Sequence, residues 1–239
     1  MSANVTSQDS VKSPDRVDTH HLLVIIPAYN AARHLPELIK RFREALPHTA
    51  LLIVDDGSTD DTQAFLKEQG IPHITHAQNR GKGAALATGF RYALAHRFRS
   101  VVTIDADLQH PPEEIPRLLA CDDGATIVMG TRSISLRGMP LPRWLVNNLT
   151  SLIISVFSTT RVRDSQSGFR LLPVTLLRRI GLHSVNYDFE SELLFKAGAL
   201  GVPVKEVTVS TVYNDSASHI RPGIDTLRFI RQIWRRIWA

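Results

Sequence analysis

The sequence predicts an α/β fold in which helices cover both faces of a mostly parallel central sheet. Short apolar runs rich in Val, Ile and Leu occur at 22–26, 51–54 and 101–104, and they lack the polar alternation of a half-exposed strand. Such runs are typical of parallel strands that are buried on both faces. Helix-length stretches separate the runs, so strand and helix alternate as in a doubly wound sheet.

The remaining elements of the first half follow in order along the chain. Helices are predicted at 34–45, 60–69 and 82–96, and a further apolar run predicts a strand at 126–129. Before that strand, a helix is expected to start close to Pro112 and to run to about Ala120. Proline suits a first helical turn because an N–H there has no partner within the helix. The acidic Glu113 and Glu114 suit the positive end of the helix dipole.

The second half of the chain is less regular, and we interpret it as one wall of a cleft. The predicted elements are an amphipathic stretch at 141–157, a turn at 164–168, a helix near 190–199 and a strand near 202–209. No internal repeat or low-complexity segment separates them from the sheet. We therefore expect one domain over 21–212, preceded by a disordered tail over 1–20.

Composition excludes several classes of protein. At 239 residues with 43% hydrophobic content, the chain can bury the core of one domain. The single cysteine, Cys121, excludes an internal disulfide and a cysteine metal site, and it favours a reducing compartment such as the cytoplasm. No run reaches the roughly 18 to 20 apolar residues that span a bilayer. The polar N-terminus also lacks the apolar stretch of a signal peptide.

The formal net charge of +5 indicates an anionic partner. Nucleic acid, an acidic lipid surface and a phosphorylated substrate all fit this charge. The basic residues follow helix ends and the predicted cleft rather than a stripe with interleaved aromatic side chains, which disfavours nucleic acid. We therefore expect no nucleic acid partner.

Each of the first three apolar runs ends in a polar cluster. The clusters are Pro27-Ala28-Tyr29-Asn30, Asp55-Asp56-Gly57-Ser58-Thr59-Asp60 and Asp105-Ala106-Asp107-Leu108-Gln109-His110. In a parallel sheet these clusters lie along the same carboxyl edge, which is where open α/β sheets bind ligands. Carboxylates from two clusters are therefore expected to converge at one edge.

The cluster at 55–60 has two compatible interpretations. It is typical of a strand-to-helix turn, in which Gly57 forms the tight bend and Ser58 or Thr59 caps the following helix. In the functional interpretation, a carboxylate of this cluster accepts hydrogen bonds from a nucleotide base or ribose. The two interpretations are compatible, because a strand-to-helix turn can also contact a nucleotide.

The cluster at 105–110 indicates a divalent metal. Two acids two positions apart are common in solvated loops, but Asp105 and Asp107 directly follow a buried strand, and the oxygen donor Gln109 comes next. Like charges held close together need a compensating cation, and a diphosphate would add further negative charge. Mg²⁺ or Mn²⁺ that bridges carboxylate and phosphate oxygens resolves this conflict and stabilises a leaving diphosphate.

A glycine-rich segment, Asn79-Arg80-Gly81-Lys82-Gly83, precedes the third predicted helix. Glycine lets the backbone approach a ligand, and Lys82 lies at the positive end of the helix, so a phosphate fits there. The segment has neither the spacing nor the Lys-Ser/Thr ending of a P-loop, and it lacks the full dinucleotide fingerprint.

Six motifs occur in order between about 22 and 209. They are the three clusters above, Gly81-Lys82-Gly83, Gly130-Thr131-Arg132 and Ser167-Gly168-Phe169-Arg170. Together they resemble the family 2 glycosyltransferases, and within that family the dolichol- or polyprenyl-phosphate mannosyltransferases. The resemblance implies a glycosyltransferase A fold, the fold of nucleotide-diphospho-sugar transferases. It also implies an inverting, metal-dependent transfer of mannose or glucose, from GDP-mannose or UDP-glucose to a polyprenyl or dolichyl phosphate.

The resemblance implies roles for individual residues. The nucleotide sugar would be bound by Pro27, Tyr29, Asn30, Asp55, Asp56, Lys82, Asp105 and Ala106. The metal would be bound by Asp105, Asp107 and Gln109, and the acceptor phosphate by Arg132, Arg143 and Asn147. The catalytic set would be Asp107, Arg132, Arg143 and Glu190. Arginine suits a phosphate because its planar fork grips two oxygens, although a solvated surface charge is the alternative for Arg143.

Two departures from the family pattern keep other functions open. Ala31 follows Asn30 where many relatives carry an acidic residue, and the segment 213–219 lacks the family's Arg and carries His219 in place of Lys. The altered Ser218-His219 segment favours a non-catalytic protein that binds nucleotide sugars. Asp188 and Glu190 favour a sugar or protein hydroxyl as acceptor, because either could be a general base, unless they are simply acids at a helix start.

The last segment, 227–238, predicts an amphipathic helix. Leu227, Ile230, Trp234, Ile237 and Trp238 share one stripe, and Arg228, Arg231, Arg235 and Arg236 lie largely off it. Basic residues seek anionic headgroups and Trp rings settle at the polar boundary of a bilayer. We therefore interpret 213–239 as an acceptor loop and a helix that faces the membrane, on a peripheral protein of its inner surface. A helix packed on the domain or on a second subunit is the alternative.

Overall fold

A computed structural model describes Thr19 and residues 21–132, 167–180 and 189–210. Within these residues a seven-stranded sheet carries helices on both faces. The strands are β1 (Leu22–Ala28), β2 (Ala50–Asp55), β3 (His73–Thr75), β4 (Ser100–Thr103), β5 (Ile127–Arg132), β6 (Arg170–Pro173) and β7 (Val204–Val209). The helices are α1 (Leu35–Ala45), α2 (Thr62–Glu68), α3 (Lys82–Ala95), α4 (Ile115–Leu119), α5 (Val174–Arg179) and α6 (Phe189–Ala199). A 3₁₀ turn at Pro112–Glu114 leads into α4.

The strands lie in the order β3-β2-β1-β4-β6-β5-β7. β1 pairs in parallel with both β2 and β4, and β2 pairs in parallel with β3. β5 and β7 are parallel to each other, whereas β6 runs antiparallel to both β4 and β5. The predicted, mostly parallel sheet is therefore confirmed. Its strand order reverses between β1 and β4, and this switch point is where α/β sheets open a crevice at their carboxyl edge.

β1 explains why the apolar runs lack polar alternation. Successive side chains of a strand point to opposite faces of the sheet. Leu23 and Ile25 pack in the core formed with α3, α5 and α6. Val24 and Ile26 pack in the core formed with α1, α2 and α4. Because both faces are buried, every position of the strand takes an apolar side chain.

Most predicted elements are confirmed with small shifts at their ends, but three elements were not predicted. These are β3, β6 and α5. β3 has only three residues, and β6 passes directly into α5 at Pro173 without a polar loop between them. The predicted helix near 112–120 is also different, since its first turn is 3₁₀. Short apolar elements that join without a break cannot be separated by hydropathy.

Two predicted amphipathic segments, 141–157 and 227–238, lie outside the described residues, as do 164–166 of the predicted turn. A helix that crosses a membrane needs roughly 18 or more predominantly apolar residues. None of the helices in the described ranges is long and apolar enough to cross a membrane.

Candidate active site

Three polar loops meet at the carboxyl edge of the sheet. They follow β1, β2 and β4, and β1 lies between the other two strands. The loops, with the last residues of β1 and β2, contain the three clusters predicted at 27–30, 55–60 and 105–110. Parallel pairing of the three strands therefore brings the predicted ligand side chains to one edge.

The loops after β1 and β2 are hydrogen-bonded to each other. The Thr59 backbone amide donates to the side-chain oxygen of Asn30 at 2.8 Å, and the Asn30 backbone amide donates to the Ser58 hydroxyl at 2.9 Å. Asn30 has a φ of 51°, a left-handed conformation that asparagine tolerates better than most residues. The Asn30 side chain thus braces the two loops, while Tyr29 beside it is 48% exposed.

Two predicted nucleotide contacts are buried in the strands that carry them. Pro27 lies inside β1, and Asp55 is fully buried at the end of β2. Oδ1 of Asp55 accepts a hydrogen bond from the Ser58 amide at 3.1 Å. Oδ2 is buried without a hydrogen-bond partner among the described residues. Asp55 therefore shapes the turn after β2.

Asp56 is buried and joins this turn to the glycine-rich segment. Its carboxylate accepts hydrogen bonds from the Gly81 amide at 2.7 Å and the Arg80 amide at 3.0 Å. The His76 ring donates to it from Nδ1 at 2.6 Å. The other ring nitrogen of His76 is hydrogen-bonded to the Thr88 hydroxyl of α3 at 2.9 Å. Asp56 therefore holds the segment that leads into α3, and His76 links Asp56 to the middle of that helix.

His76 was not among the residues predicted from the sequence. It follows β3, and because that strand was not predicted, His76 had no position in the sheet. β3 pairs in parallel with β2 and ends beside Asp55. With β3 in place, the rule that polar residues after parallel strands form the ligand edge would have found His76.

Replacing His76 by leucine is expected to destabilise the fold by about 2 kcal/mol, because the buried Asp56 carboxylate loses a hydrogen-bond donor. The free energy of unfolding in urea measures this cost. His48→Leu at an exposed position is the control and should change it by less than about 0.5 kcal/mol. If the His76→Leu variant had the same free energy of unfolding as the parent protein and the control, the bracing role of His76 would be contradicted.

Lys82, the first residue of α3, joins two carboxylates from different parts of the chain. Its Nζ lies 2.7 Å from Asp105 Oδ1 and 2.8 Å from Glu190 Oε1. The side chains are mostly buried, with exposed fractions of 22% for Lys82, 28% for Asp105 and 10% for Glu190. Three residues predicted for the site therefore form one ion-pair cluster.

This pairing sets the ionisation of Lys82 and Asp105. Burial acts to lower the pKa of Lys82, but the charges of Asp105 and Glu190 outweigh it, and the pKa of Lys82 is raised. Burial acts to raise the pKa of Asp105, but the Lys82 ammonium outweighs it, and the pKa of Asp105 lies below its ordinary value. Lys82 and Asp105 are therefore both charged at neutral pH.

The loop after β4 offers oxygen ligands that fit a divalent metal. Asp105 is partly exposed and forms an ion pair with Lys82. Asp107 accepts a hydrogen bond from the backbone amide of Gln109 at 3.0 Å. Carboxylate and amide oxygens suit Mg²⁺ and Mn²⁺. Among the residues described, no group of three His, Cys, Asp or Glu side chains forms a metal cage. The residues present suit a metal that is shared with a diphosphate, because Mg²⁺ commonly binds one or two carboxylates and completes its shell with phosphate and water.

The segment before β6 packs against Asp105. Gly168 is so close that a Cβ atom at this position would lie 2.4 Å from Asp105 Oδ2. The Gly168 carbonyl accepts a hydrogen bond from the Thr103 hydroxyl of β4 at 2.7 Å. The Ser167 hydroxyl donates to the Gly130 carbonyl of β5 at 2.6 Å. These bonds hold the segment between β4 and β5, where it supports the predicted metal loop.

Arg170, the first residue of β6, is buried and ties this segment to α6. Its Nε donates to the Ser167 carbonyl at 2.7 Å, and its Nη1 donates to the Glu190 carbonyl at 2.9 Å. Glu190 is the second residue of α6, so the guanidinium holds the start of the helix that carries a partner of Lys82. This positioning of Glu190 by Arg170 was not predicted from the sequence.

The predicted acceptor residues are described only in part. Arg132 ends β5, and β6 lies between that strand and β4. Arg143, Asn147 and Asp188 lie outside the described residues, as do Ser218 and His219. Ala106, predicted beside the donor, is partly buried against the core formed with α1.

The amino-acid sequence of the chain is similar to that of a known protein family and to individual members of it. The model of the family described as "Glycosyl transferase family 2" matches residues 23–183. Polyprenol monophosphomannose synthase from Mycolicibacterium smegmatis is 33% identical over 205 residues, which are 80% of this chain and 77% of that protein. Undecaprenyl-phosphate mannosyltransferase from Micrococcus luteus is 32% identical over 204 residues, which are 80% of this chain and 83% of that protein.

The fold also matches solved structures. One of them is glucosyl-3-phosphoglycerate synthase from Mycobacterium tuberculosis in complex with Mn²⁺, UDP-glucose and phosphoglyceric acid. Its TM-score is 0.70 at 22% sequence identity, and the match covers 90% of this chain and 79% of that one. At this identity the likeness concerns the fold.

Proposed function

The chain belongs to glycosyl transferase family 2 and has the glycosyltransferase A fold, and from that premise we propose that it transfers a hexose to a polyprenyl phosphate. The donor would be a nucleotide-diphosphate sugar, GDP-mannose or UDP-glucose. The acceptor would be the phosphate of a polyprenyl or dolichyl lipid, as the names of the two mannosyltransferase relatives suggest for this chain.

The observation that carries this proposal is the Lys82–Asp105 pair at the carboxyl edge of the sheet. It lies where the strand order reverses, and it combines an ammonium at a helix start with a carboxylate that suits a metal. A diphosphate needs both kinds of partner, because its charge is balanced by cations.

We propose that each loop of the edge has one task in donor binding. Asp105, Asp107 and Gln109 would hold Mg²⁺ or Mn²⁺, which stabilises the leaving diphosphate as charge develops on it. Lys82 would bind phosphate oxygens at the positive end of α3. The exposed Tyr29, with Asn30 beside it, would border the nucleotide, and Asp56 would keep the glycine-rich segment in place.

The acceptor side follows from the chemistry of a phosphate. A phosphate monoester is ionised at neutral pH, so its oxygen attacks the sugar C1 without a strong general base. The bond between C1 and the diphosphate oxygen breaks, and the electron pair leaves with the nucleoside diphosphate. Attack opposite the leaving group inverts the configuration at C1. Arg132, Arg143 and Asn147 are proposed to bind the acceptor phosphate, because arginine grips two of its oxygens.

A lipid acceptor requires the protein to work at a membrane surface. We propose that the chain binds the inner face of a membrane as a peripheral protein, through the amphipathic segment at 227–238 and its arginines. The net charge of +5 supports attraction to anionic headgroups. Binding to vesicles that contain anionic lipid, and none to neutral vesicles, is the expected result.

The proposed reaction is tested with labelled GDP-mannose and UDP-glucose, polyprenyl phosphate in detergent, and Mg²⁺ or Mn²⁺. We expect label in the organic phase with one of the two donors, and none after EDTA is added. The same mixture with the corresponding polyprenol, which lacks the phosphate, is the matched control and should yield no labelled lipid.

Two outcomes would contradict the proposal. Absence of labelled lipid with either donor would exclude this transfer. Label on a water-soluble sugar or on protein instead would place the chain among glycosyltransferases that act on hydroxyl groups.

A further inference from the structure

The ammonium of Lys82 occupies both carboxylate oxygens of Asp105. Nζ lies 2.7 Å from Oδ1 and 2.9 Å from Oδ2 of Asp105, and 2.8 Å from Oε1 of Glu190. An ammonium group has three N–H donors, and three carboxylate oxygens lie within 2.9 Å of its nitrogen. Asp105 is thus neutralised by a cation that belongs to the protein itself.

The two carboxylates differ in how they are held. The Glu190 side chain is 10% exposed, and the buried Arg170 binds the carbonyl of the same residue. The Asp105 side chain is 28% exposed and lies in the loop after β4. Lysine carries its charge on a flexible four-carbon stem, so its ammonium can move from one partner toward another. Glu190 is the anchored partner of Lys82, and Asp105 is the partner that faces the edge.

A divalent metal at Asp105 would compete directly with Lys82. Both Asp105 oxygens are bound to the ammonium, and two cations at one carboxylate repel each other. We propose that Lys82 is the resident counter-ion of Asp105, that the metal displaces it, and that Glu190 is a positioning residue that retains Lys82 beside the donor's diphosphate. This inference rests on the proposed function, since it concerns the metal and the donor of that same site.

The exchange couples the two ligands. A diphosphate draws Lys82 from Asp105 and frees that carboxylate for the metal, and the metal in turn frees Lys82 for the diphosphate. Coupling between two binding sites is reciprocal, so each ligand tightens the binding of the other. In this role Glu190 acts through Lys82 and accepts no proton from the acceptor.

The double variant K82M/E190Q tests the exchange at constant net charge, because it removes one positive and one negative group. Without the competing ammonium, Mn²⁺ is expected to bind the nucleotide-free protein about tenfold more tightly, the effect of one partly buried ion pair. With Mn²⁺ saturating, UDP and GDP are expected to bind about tenfold more weakly because Lys82 no longer meets the diphosphate. Electron paramagnetic resonance of free Mn²⁺ and titration calorimetry measure these affinities.

The matched control is K196M/E192Q. Lys196 and Glu192 form an ion pair at 2.6 Å on α6, and the same two substitutions leave the Lys82 cluster intact. Both affinities should remain within about twofold of the parent protein, because this pair is buried to a similar degree, with exposed fractions of 19% and 9%, but is an ion pair separate from that of Lys82. Far-ultraviolet circular dichroism establishes that each variant is folded.

A second variant, K82R, keeps the positive charge and tests the inference even if the double variant does not fold. Arginine grips a carboxylate through two parallel N–H bonds, so it should resist displacement from Asp105. Mn²⁺ is then expected to bind the nucleotide-free protein about threefold or more weakly. Weaker Mn²⁺ binding supports the exchange.

Three results would overturn the inference. One is an Mn²⁺ affinity of K82M/E190Q that is equal to or lower than that of the parent protein, and another is an unchanged Mn²⁺ affinity in K82R. The third is a loss of turnover in E190Q with unchanged Mn²⁺ and nucleotide affinities, since this would make Glu190 a base. No acceptor is present in the binding measurements, so a failure of lipid transfer would contradict the proposed function alone.

Discussion

Replacing Asp105 by asparagine is expected to lower the rate of sugar transfer by about 10³-fold or more, which corresponds to the several kcal/mol that a metal contributes to a charged transition state. The substitution keeps the size of the side chain but removes the charge that balances Lys82 at 2.7 Å. It also removes the proposed carboxylate ligand of the metal. Initial rates at saturating donor and Mn²⁺ measure the loss.

Asp122→Asn is the matched control for this experiment. Asp122 accepts a hydrogen bond from Ser100, the first residue of β4, at 2.7 Å, whereas Asp105 follows the other end of the same strand. The control should retain activity within about twofold, as expected for a polar change away from the site. An Asp105→Asn protein with at least a tenth of the parent rate would contradict the proposed role of the carboxylate.

Replacing Gly168 by alanine is expected to lower activity by about 10²-fold, because a displacement of about 1 Å at a reacting group has an effect of that size. The new Cβ atom would lie 2.4 Å from Asp105 Oδ2 and 2.8 Å from its Oδ1, closer than atoms can approach. Gly168 cannot retreat easily, because its carbonyl is bound by Thr103 at 2.7 Å. The Asp105 side chain must therefore move, and with it the ion pair to Lys82.

The activity of Gly168→Ala is compared with that of Gly70→Ala. Gly70 has a φ of 59°, and an added Cβ there would have no non-neighbouring atom of the described residues within 4 Å, so alanine costs about 1 kcal/mol of backbone strain without a clash among them. Gly70→Ala should lose stability but keep its activity per folded molecule. Full activity of Gly168→Ala would show that Asp105 tolerates displacement, and it would weaken its assignment to the site.

The local sequence pattern predicts those strands and helices whose character depends on residues that are close together along the chain. The unbroken apolar runs at the start of β1, β2 and β4 predict buried parallel strands, because each strand is covered on both faces. Once those strands are parallel, the residues that follow them must lie at one edge. The position of Asp105 at that edge is therefore determined by a strand pattern and a chain direction alone.

The antiparallel β6 required the tertiary structure. Hydropathy does not reveal whether a short strand pairs in parallel or antiparallel. β6 pairs with both β4 and β5, which lie far from it along the chain. Its placement brings Gly168 against Asp105 and lets Arg170 reach the carbonyl of Glu190. Neither contact leaves a periodic signal in the sequence, because the partners are far apart along the chain.

Local sequence pattern is enough to predict an α/β sheet whose polar loops carry Asp56, Lys82 and Asp105 to one edge. The pairing of those side chains depends on tertiary packing. Lys82 lies between Asp105 and Glu190, and His76 braces Asp56, because packing of β6, α6 and β3 sets the distances. An ion pair forms or fails within about 4 Å, and separations of that size are fixed by packing rather than by the order of residues.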